Sequence, residues 1–91
     1  MKLPPDPEHR NDLRALQAAT TLADFREVTG TDLEDAICDL IANLAHHCDR
    51  AGLNLSNEIR LALMHYDEET NGKGRQFHGI ALDLPAYEPQ P

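Results

Sequence analysis

The spacing of apolar residues between Thr31 and Gly52 constrains the fold of this chain more than any other feature. Leu, Ile and Ala recur there every three or four residues, which is the period of an α-helix with one apolar side. Thr31 and Glu34 have the spacing of a capping box, in which the two side chains accept hydrogen bonds from backbone N–H groups at a helix start. Gly52 can adopt the left-handed conformation that ends a helix. A helix is therefore predicted over residues 32–51.

A helix is also predicted before this segment, over residues 11–29. Its composition is helical, and Gly30 is available to end it. Two threonines, Thr20 and Thr21, weaken its centre because β-branched side chains lose rotamer freedom in a helix. One continuous helix is favoured, with a break near Thr21 as the alternative.

The third predicted helix covers residues 56–70, with Asn54 or Ser56 as its N-terminal cap. Only 4% of the 91 residues are aromatic and there is no Trp, so Leu, Ile, Ala and Met must supply the packing. Such side chains are the usual material of helix-on-helix contacts. The fold class predicted is all-α, a small bundle of about three helices.

The ends of the chain differ from this helical domain of residues 11–70. Residues 1–10 contain three prolines and are interpreted as a lead-in segment. Residues 71–91 contain three glycines and three prolines, together with alternating apolar residues, and are predicted to be an extended or partly ordered C-terminal segment.

The chain is acidic, with sixteen Asp and Glu against eight Lys and Arg, a formal net charge of −8. Residues 32–69 carry nine acidic and two basic residues, so seven of the eight net charges lie there. Surfaces that bind nucleic acid need Lys and Arg to displace counterions, and this balance argues against direct nucleic-acid binding. It favours a protein partner with a basic surface.

No run of roughly 18 apolar residues is present, which argues against a membrane-spanning helix, and the first ten residues do not resemble a signal peptide. A cytoplasmic protein is expected. Cys38 and Cys48 lie about 15 Å apart along one predicted helix, too far for a disulfide. Both are interpreted as reduced, buried thiols.

The second predicted helix separates its side chains into two faces at about 100° per residue. The core stripe is predicted to contain Leu33, Ala36, Ile37, Leu40, Leu44, His47 and Ala51, flanked by Ile41 and Cys48. The opposite, polar face contains Asp35, Asp39, Asn43, His46 and Arg50. A solvated polar face is favoured over a metal or acid–base site, because one straight helix cannot bring three ligands to one point.

A divalent-metal site would need residues from the third helix as well. The candidate ligands are Asp35, Asp39, His65 and Glu69, with Glu68 as an alternative on the third helix. Such a site would suit a metal-dependent phosphohydrolase, which is the alternative function. No cofactor and no enzymatic activity are the favoured interpretation, because no nucleophile lies beside an obvious base.

The third predicted helix has apolar residues on two sides. Ile59, Ala62, Leu63 and Tyr66 form one stripe, whereas Leu61 and Met64 lie away from it. Three kinds of cover are possible: the C-terminal segment, a second subunit or another protein. A homodimer is favoured, because it would turn a helical hairpin into a four-helix bundle. The predicted interface residues are His47, Leu61, Met64, His65 and Glu68.

Two resemblances bear on function. Residues 34–70, EDAICDLIANLAHHCDRAGLNLSNEIRLALMHYDEET, resemble small uncharacterised bacterial helical proteins that are often phage- or plasmid-associated. Shared features are an Asp-Leu-hydrophobic-Ala-x-Leu-x-His pattern, a Cys/Ala-Asp-x-x-Gly turn and a His-Tyr-x-x-Glu ending. This resemblance implies no known activity. It implies a mobile-element accessory protein. The acidic excess on residues 32–69 adds a special case, an acidic protein that occupies a nucleic-acid-binding partner.

The same hairpin is similar to the latter half of the all-α nucleotide pyrophosphohydrolases, the MazG and phosphoribosyl-ATP pyrophosphatase group. That group carries Glu-x-x-Asp-Leu-Leu on one helix, followed by a glycine turn and another helix. Here Asp39-Leu40-Ile41 matches the second part of the motif, but Ala36 stands where the metal-binding Glu belongs. The resemblance therefore implies an incomplete magnesium site. The favoured function is a small acidic helical interaction or accessory protein.

Overall fold

The structure, a computed structural model, describes residues 3–76, and these residues contain three α-helices and no strand. The helices are α1 (Arg10–Thr29), α2 (Ala36–Ala51) and α3 (Leu55–Glu69), and a short 3-10 turn (Leu33–Asp35) leads into α2. The predicted all-α fold class and the order of the helices are confirmed. Most of the predicted C-terminal segment, from residue 77 onward, lies outside the described residues.

Helix α1 is continuous across its two central threonines. The hydroxyl of Thr20 donates to the carbonyl of Leu16 at 2.9 Å, and the hydroxyl of Thr21 donates to the carbonyl of Gln17 at 3.0 Å. Both hydroxyl groups are thereby satisfied within the helix. The favoured continuous helix is confirmed, and Gly30 ends it in the left-handed conformation, with φ 74°.

The start of α2 differs from the prediction. The capping box of Thr31 and Glu34 does not form, and the hydroxyl oxygens of Thr29 and Thr31 lie 2.9 Å apart. The chain enters through the 3-10 turn, in which the N–H of Asp35 donates to the carbonyl of Asp32 at 3.0 Å. Regular α-helix therefore begins later than expected, while the end of α2 is as predicted.

Side-chain hydrogen bonds define both ends of α3. Of the two predicted caps, Asn54 is used: its side-chain oxygen accepts from the N–H of Asn57 at 3.2 Å. At the other end, the hydroxyl of Thr70 donates to the carbonyl of Tyr66 at 2.8 Å. Gly72 follows in the left-handed conformation, with φ 72°. The helix thus ends in a tight turn that reverses the chain.

Tyr66 fixes the segment that follows this turn. Its hydroxyl accepts hydrogen bonds from the backbone N–H of Arg75 at 3.0 Å and of Gln76 at 3.4 Å. Gly74 lies against the ring, and a Cβ built on this glycine would be 2.7 Å from Cζ of Tyr66. The close approach of backbone to ring explains why the position is a glycine.

The three helices bury few apolar side chains against one another. Helix α2 contacts both α1 and α3. Within residues 3–76, Ala36 and Cys48 are the only buried apolar residues, and no large side chain is fully buried. A domain of this size has a small core at best, and residues 3–76 supply very little of it.

The predicted core stripe of α2 is wrong for most of its members. Ala36 is buried and Leu40 half-buried, and Cys48, on the flank, is also buried. The remaining members are exposed, namely Leu33, Ile37, Ile41, Leu44, His47 and Ala51. Ala36 and Cys48 lie about 120° apart around the helix at 100° per residue. The buried side of α2 therefore changes along its length, and most residues that lie between these two directions stay exposed.

The prediction that both thiols are buried is half right. Cys48 is buried, whereas Cys38 is exposed, and both are free cysteines. Cys38 lies about 160° around the helix from Ala36 by the same arithmetic, almost on the opposite side, and therefore faces solvent. Cys38 also lies outside the predicted core stripe, so the helical pattern itself gave no reason for it to be buried.

Candidate functional site

A row of large apolar side chains lies exposed along α2 and its entering turn. The exposed fraction is 71% for Leu33, 62% for Ile37, 48% for Ile41 and 42% for Leu44. Their spacing of four, four and three residues places them within an arc of about 80°. We call these four residues the α2 apolar face. Contiguous exposed apolar patches mark contact surfaces, whereas scattered apolar residues are ordinary surface composition.

The opposite side of α2 is polar and exposed throughout. Its residues are Asp35, Asp39, Asn43, His46 and Arg50. The guanidinium of Arg50 donates to the carbonyl of His46 at 3.0 Å, which holds the Arg50 side chain along the helix. The favoured interpretation of these residues as a solvated face agrees with their exposure.

The interface residues predicted on α3 are less uniformly open than the α2 apolar face. Met64 is 59% exposed, and His65 and Glu68 are also exposed, but Leu61 is half-buried. His47 is exposed on α2, about 40° from Leu33 around the helix, and therefore lies at the rim of the α2 apolar face. Sequence reasoning named His47 as an interface residue but assigned the apolar face itself to the core. A contact of these five residues with a partner stays a prediction.

The candidate metal ligands do not form a group of three. The residues in question are Asp35, Asp39, His65 and Glu69. Within residues 3–76, only Asp6, His9 and Asp12 offer three ligand atoms within 4.8 Å of one another. The carboxylate of Glu69 instead pairs with Nε of Arg14 at 2.9 Å. Metal binding by the candidate residues stays a prediction that this arrangement does not support.

The cluster of Asp6, His9 and Asp12 belongs to the start of α1. The carboxylate of Asp6 accepts hydrogen bonds from the backbone N–H of Asn11 at 3.1 Å and of Asp12 at 3.0 Å. Nδ1 of His9 lies 3.0 Å from Oδ2 of Asp12. Asp6 thus satisfies N–H groups that the first turn of a helix leaves unpaired. Capping explains the cluster without an ion.

These contacts shift two pKa values at the start of α1. Desolvation raises the pKa of Asp6, but the hydrogen bonds from Asn11 and Asp12 outweigh it, and the pKa lies below 3.8. The hydrogen bond to Asp12 raises the pKa of His9 above 6.5. Because the pKa of His9 is raised in the folded state, the contact of His9 with Asp12 stabilises the folded state at pH below 6.5. This stabilisation is lost as the pH rises through the folded-state pKa of His9.

We therefore expect the start of α1 to loosen as pH rises through the pKa of His9. The measurement is the amide hydrogen exchange of Leu13, whose N–H donates to the carbonyl of His9 at 3.3 Å, corrected for the intrinsic pH dependence of exchange. Corrected protection should fall above the pKa of His9 in the natural chain and stay level in His9→Asn. An equal fall in both proteins would contradict the role of His9.

A polar junction ties the start of α1 to the end of α3. The side-chain amide of Asn11 donates to the carbonyl of Glu69 at 2.8 Å, across 58 residues of sequence. Arg14 pairs with the carboxylate of Glu69 and also donates to the side-chain oxygen of Asn11 at 2.7 Å. An open cleft of about 370 Å³ lies beside these residues. Sequence reasoning missed the junction because no local pattern links positions so far apart.

No helix within residues 3–76 combines the length and apolar character needed to cross a lipid bilayer. Comparisons of the chain with protein-family models, curated proteins and solved structures find no match. The functional interpretation therefore depends on the surface of the molecule itself.

Proposed function

We propose that this chain is a small acidic helical interaction protein that acts by protein–protein contact. The α2 apolar face carries the proposal, because four neighbouring Leu and Ile side chains remain exposed while only Ala36 and Cys48 are buried among the described apolar residues. Leaving such side chains in water is costly, and a partner that covers them gains roughly 25 cal/mol for each Å² of apolar surface removed from water.

A partner with a basic surface is a further part of this proposal. The supporting observation is the exposure of acidic side chains on both sides of the hairpin, including Asp35 and Asp39 on α2 and Glu58, Asp67 and Glu68 on α3. Opposite charge on a partner would speed association and would make it sensitive to salt. The acidic surface would steer such a partner, whichever protein covers the α2 apolar face.

The experiment that tests contact through the α2 apolar face is site-specific photo-crosslinking in cells that express the full chain. A photoreactive phenylalanine analogue at Ile41 should form a discrete protein adduct. The matched control places the same analogue at Ala42, which is exposed about 100° further around α2, beyond the apolar arc. The Ala42 variant should give little or no adduct, because its side chain would not enter the interface.

The adducts identified by mass spectrometry decide the outcome. Equal labelling from both positions would indicate random collision and would contradict the proposal. The absence of any protein adduct at Ile41 would contradict it as well. Circular dichroism of both variants, with helical content equal to that of the natural chain, shows that the comparison is made on folded protein.

A further inference from the structure

The α2 apolar face is uncharged, although the chain as a whole is strongly acidic. Between Leu33 and Ala51, the side of α2 that carries Leu33, Ile37, Ile41 and Leu44 contains no Asp, Glu, Lys or Arg. By helical geometry the neighbouring ionisable residues are Glu34 on one rim and His47 on the other. Two copies of this face can therefore meet without placing like charges against each other.

Charge is distributed unequally along α2 and its entering turn. The first half carries Glu34, Asp35 and Asp39 and no basic residue. The second half carries Arg50 with His46 and His47, against a single acid, Asp49. Parallel pairing of two such helices would bring the two acidic halves side by side. Antiparallel pairing places each acidic half beside the half that contains Arg50, and it also opposes the helix dipoles favourably.

A two-fold axis level with the point between residues 42 and 43 gives an antiparallel pair whose contact is uncharged. It would place Ile41 of each copy level with Leu44 of the other, so that the centre of the interface is apolar. The same axis would bring Asp39 level with His46 and Asp35 level with Arg50 of the second copy. These polar side chains lie on the outer sides of the pair, so they would favour the orientation through the electric field and not by direct contact. This register thus places Ile41 and Leu44 at the centre of the pair and brings each acidic half of α2 level with the half that contains Arg50.

The small core indicates that the protein covering the α2 apolar face is always present. Within residues 3–76 only two small apolar residues are buried, and small domains with an insufficient core commonly gain stability by oligomerisation. A second copy is available wherever the chain itself is made. A homo-oligomer of this kind usually has closed two-fold symmetry, with the same patch used by both subunits.

From these observations we propose that the occupant of the α2 apolar face is a second copy of this chain, paired antiparallel through α2. This inference rests on the proposed function, because it names the protein that makes the contact. His47 becomes a rim residue of the dimer. The interface is centred on α2, in contrast to the α3 residues Leu61 and Met64 that the sequence favours.

Sedimentation equilibrium of the purified full chain tests the stoichiometry. The expected mass is 20.2 kDa, twice the chain mass of 10.1 kDa. Ile41→Asp should raise the dimer dissociation constant about 100-fold, because it places an unpaired charge at the centre of an apolar interface. The matched control, Ala42→Asp, adds the same charge outside the apolar arc and should leave the mass at that of a dimer.

Because Ile41→Asp can also unfold a chain that needs its dimer, the melting temperature of the natural chain is measured over a dilution series, and it should fall with dilution.

Electron–electron distance measurements test the orientation. A nitroxide is placed on Glu34→Cys in a Cys38→Ser background, which leaves only the buried Cys48 as a second thiol. Antiparallel pairing about the proposed axis separates the two labelled positions by about 25 Å along the helices, at 1.5 Å per residue. Parallel pairing would bring them to about 10 Å, the distance between packed helices, and would overturn the proposed arrangement.

The outcomes separate this inference from the proposed function. A mass of 10.1 kDa at every concentration, with a melting temperature independent of dilution, would overturn the dimer. If Ile41 then cross-links to a different protein in cells, the interaction function stands and only the identity of the partner is wrong. A cross-link from Ile41 to residues 77–91 of the same chain would overturn both proposals. A dimer that is unaffected by Ile41→Asp would place the interface elsewhere.

Discussion

Replacing Ala36 by leucine is expected to lower the free energy of unfolding by about 1–3 kcal/mol. Ala36 is completely buried, with 0% of its surface exposed, at the point where the 3-10 turn becomes α2. A larger side chain there must displace its neighbours, and overpacking of a closed site is destabilising even when the new side chain is apolar. Chemical denaturation monitored by circular dichroism measures the change.

The control for this substitution is Ala42→Leu in the same helix. Ala42 is exposed, and alanine and leucine have similar helix propensities, so the free energy of unfolding should change by less than about 0.5 kcal/mol. Similar losses in the two variants would mean that leucine disturbs α2 itself. A neutral Ala36→Leu variant would show that the space around Ala36 is open, and it would contradict the close packing of this residue.

The helices follow from local sequence, and this is why they could be predicted. Gly30 and Gly52 end α1 and α2 in the left-handed conformation, as their positions after apolar-periodic segments indicate. Asn54 caps α3 through its own side chain. Each of these signals acts within a few residues, so the sequence alone contains all the information needed. The Thr31–Glu34 capping box shows the limit, because its spacing is present in the sequence but the chain enters α2 through a 3-10 turn without a side-chain cap.

The surface of α2 could not be predicted because periodicity identifies an apolar side but not what covers it. Ile37 and Ala36 are adjacent in sequence and both lie on the predicted stripe, yet Ile37 is 62% exposed and Ala36 is buried. The difference depends on where the other helices cross α2, and no local pattern encodes that. The same limit hid the junction of Asn11 with Glu69, whereas the solvated polar face needed no tertiary information.

The exposed stripe of α2 would be part of a larger, symmetric core if two chains pair, and this reconciles the sequence with the structure. The sequence predicts Leu33, Ile37 and Leu44 to be covered, and the single chain leaves them open. In the proposed dimer their cover comes from a second copy, and the stripe would be buried after all. The error would then lie in the assumption that one chain contains its own core. Very small domains often do not.

Gly74→Ala is the second substitution for which a large effect is expected, a loss of about 1–3 kcal/mol in the free energy of unfolding. A Cβ at this position would lie 2.7 Å from Cζ and 2.8 Å from the hydroxyl oxygen of Tyr66, well inside normal contact. The ring cannot move away freely, because its hydroxyl accepts hydrogen bonds from the N–H groups of Arg75 and Gln76. The cost should disappear in a Tyr66→Ala background, where the ring that meets the new methyl group is gone, so a double-mutant cycle measured by chemical denaturation isolates the contact. Lys73→Ala, at the exposed neighbouring position, should have little effect. An equal cost for Gly74→Ala with and without the ring would assign the loss to the backbone and would contradict the role given to Tyr66.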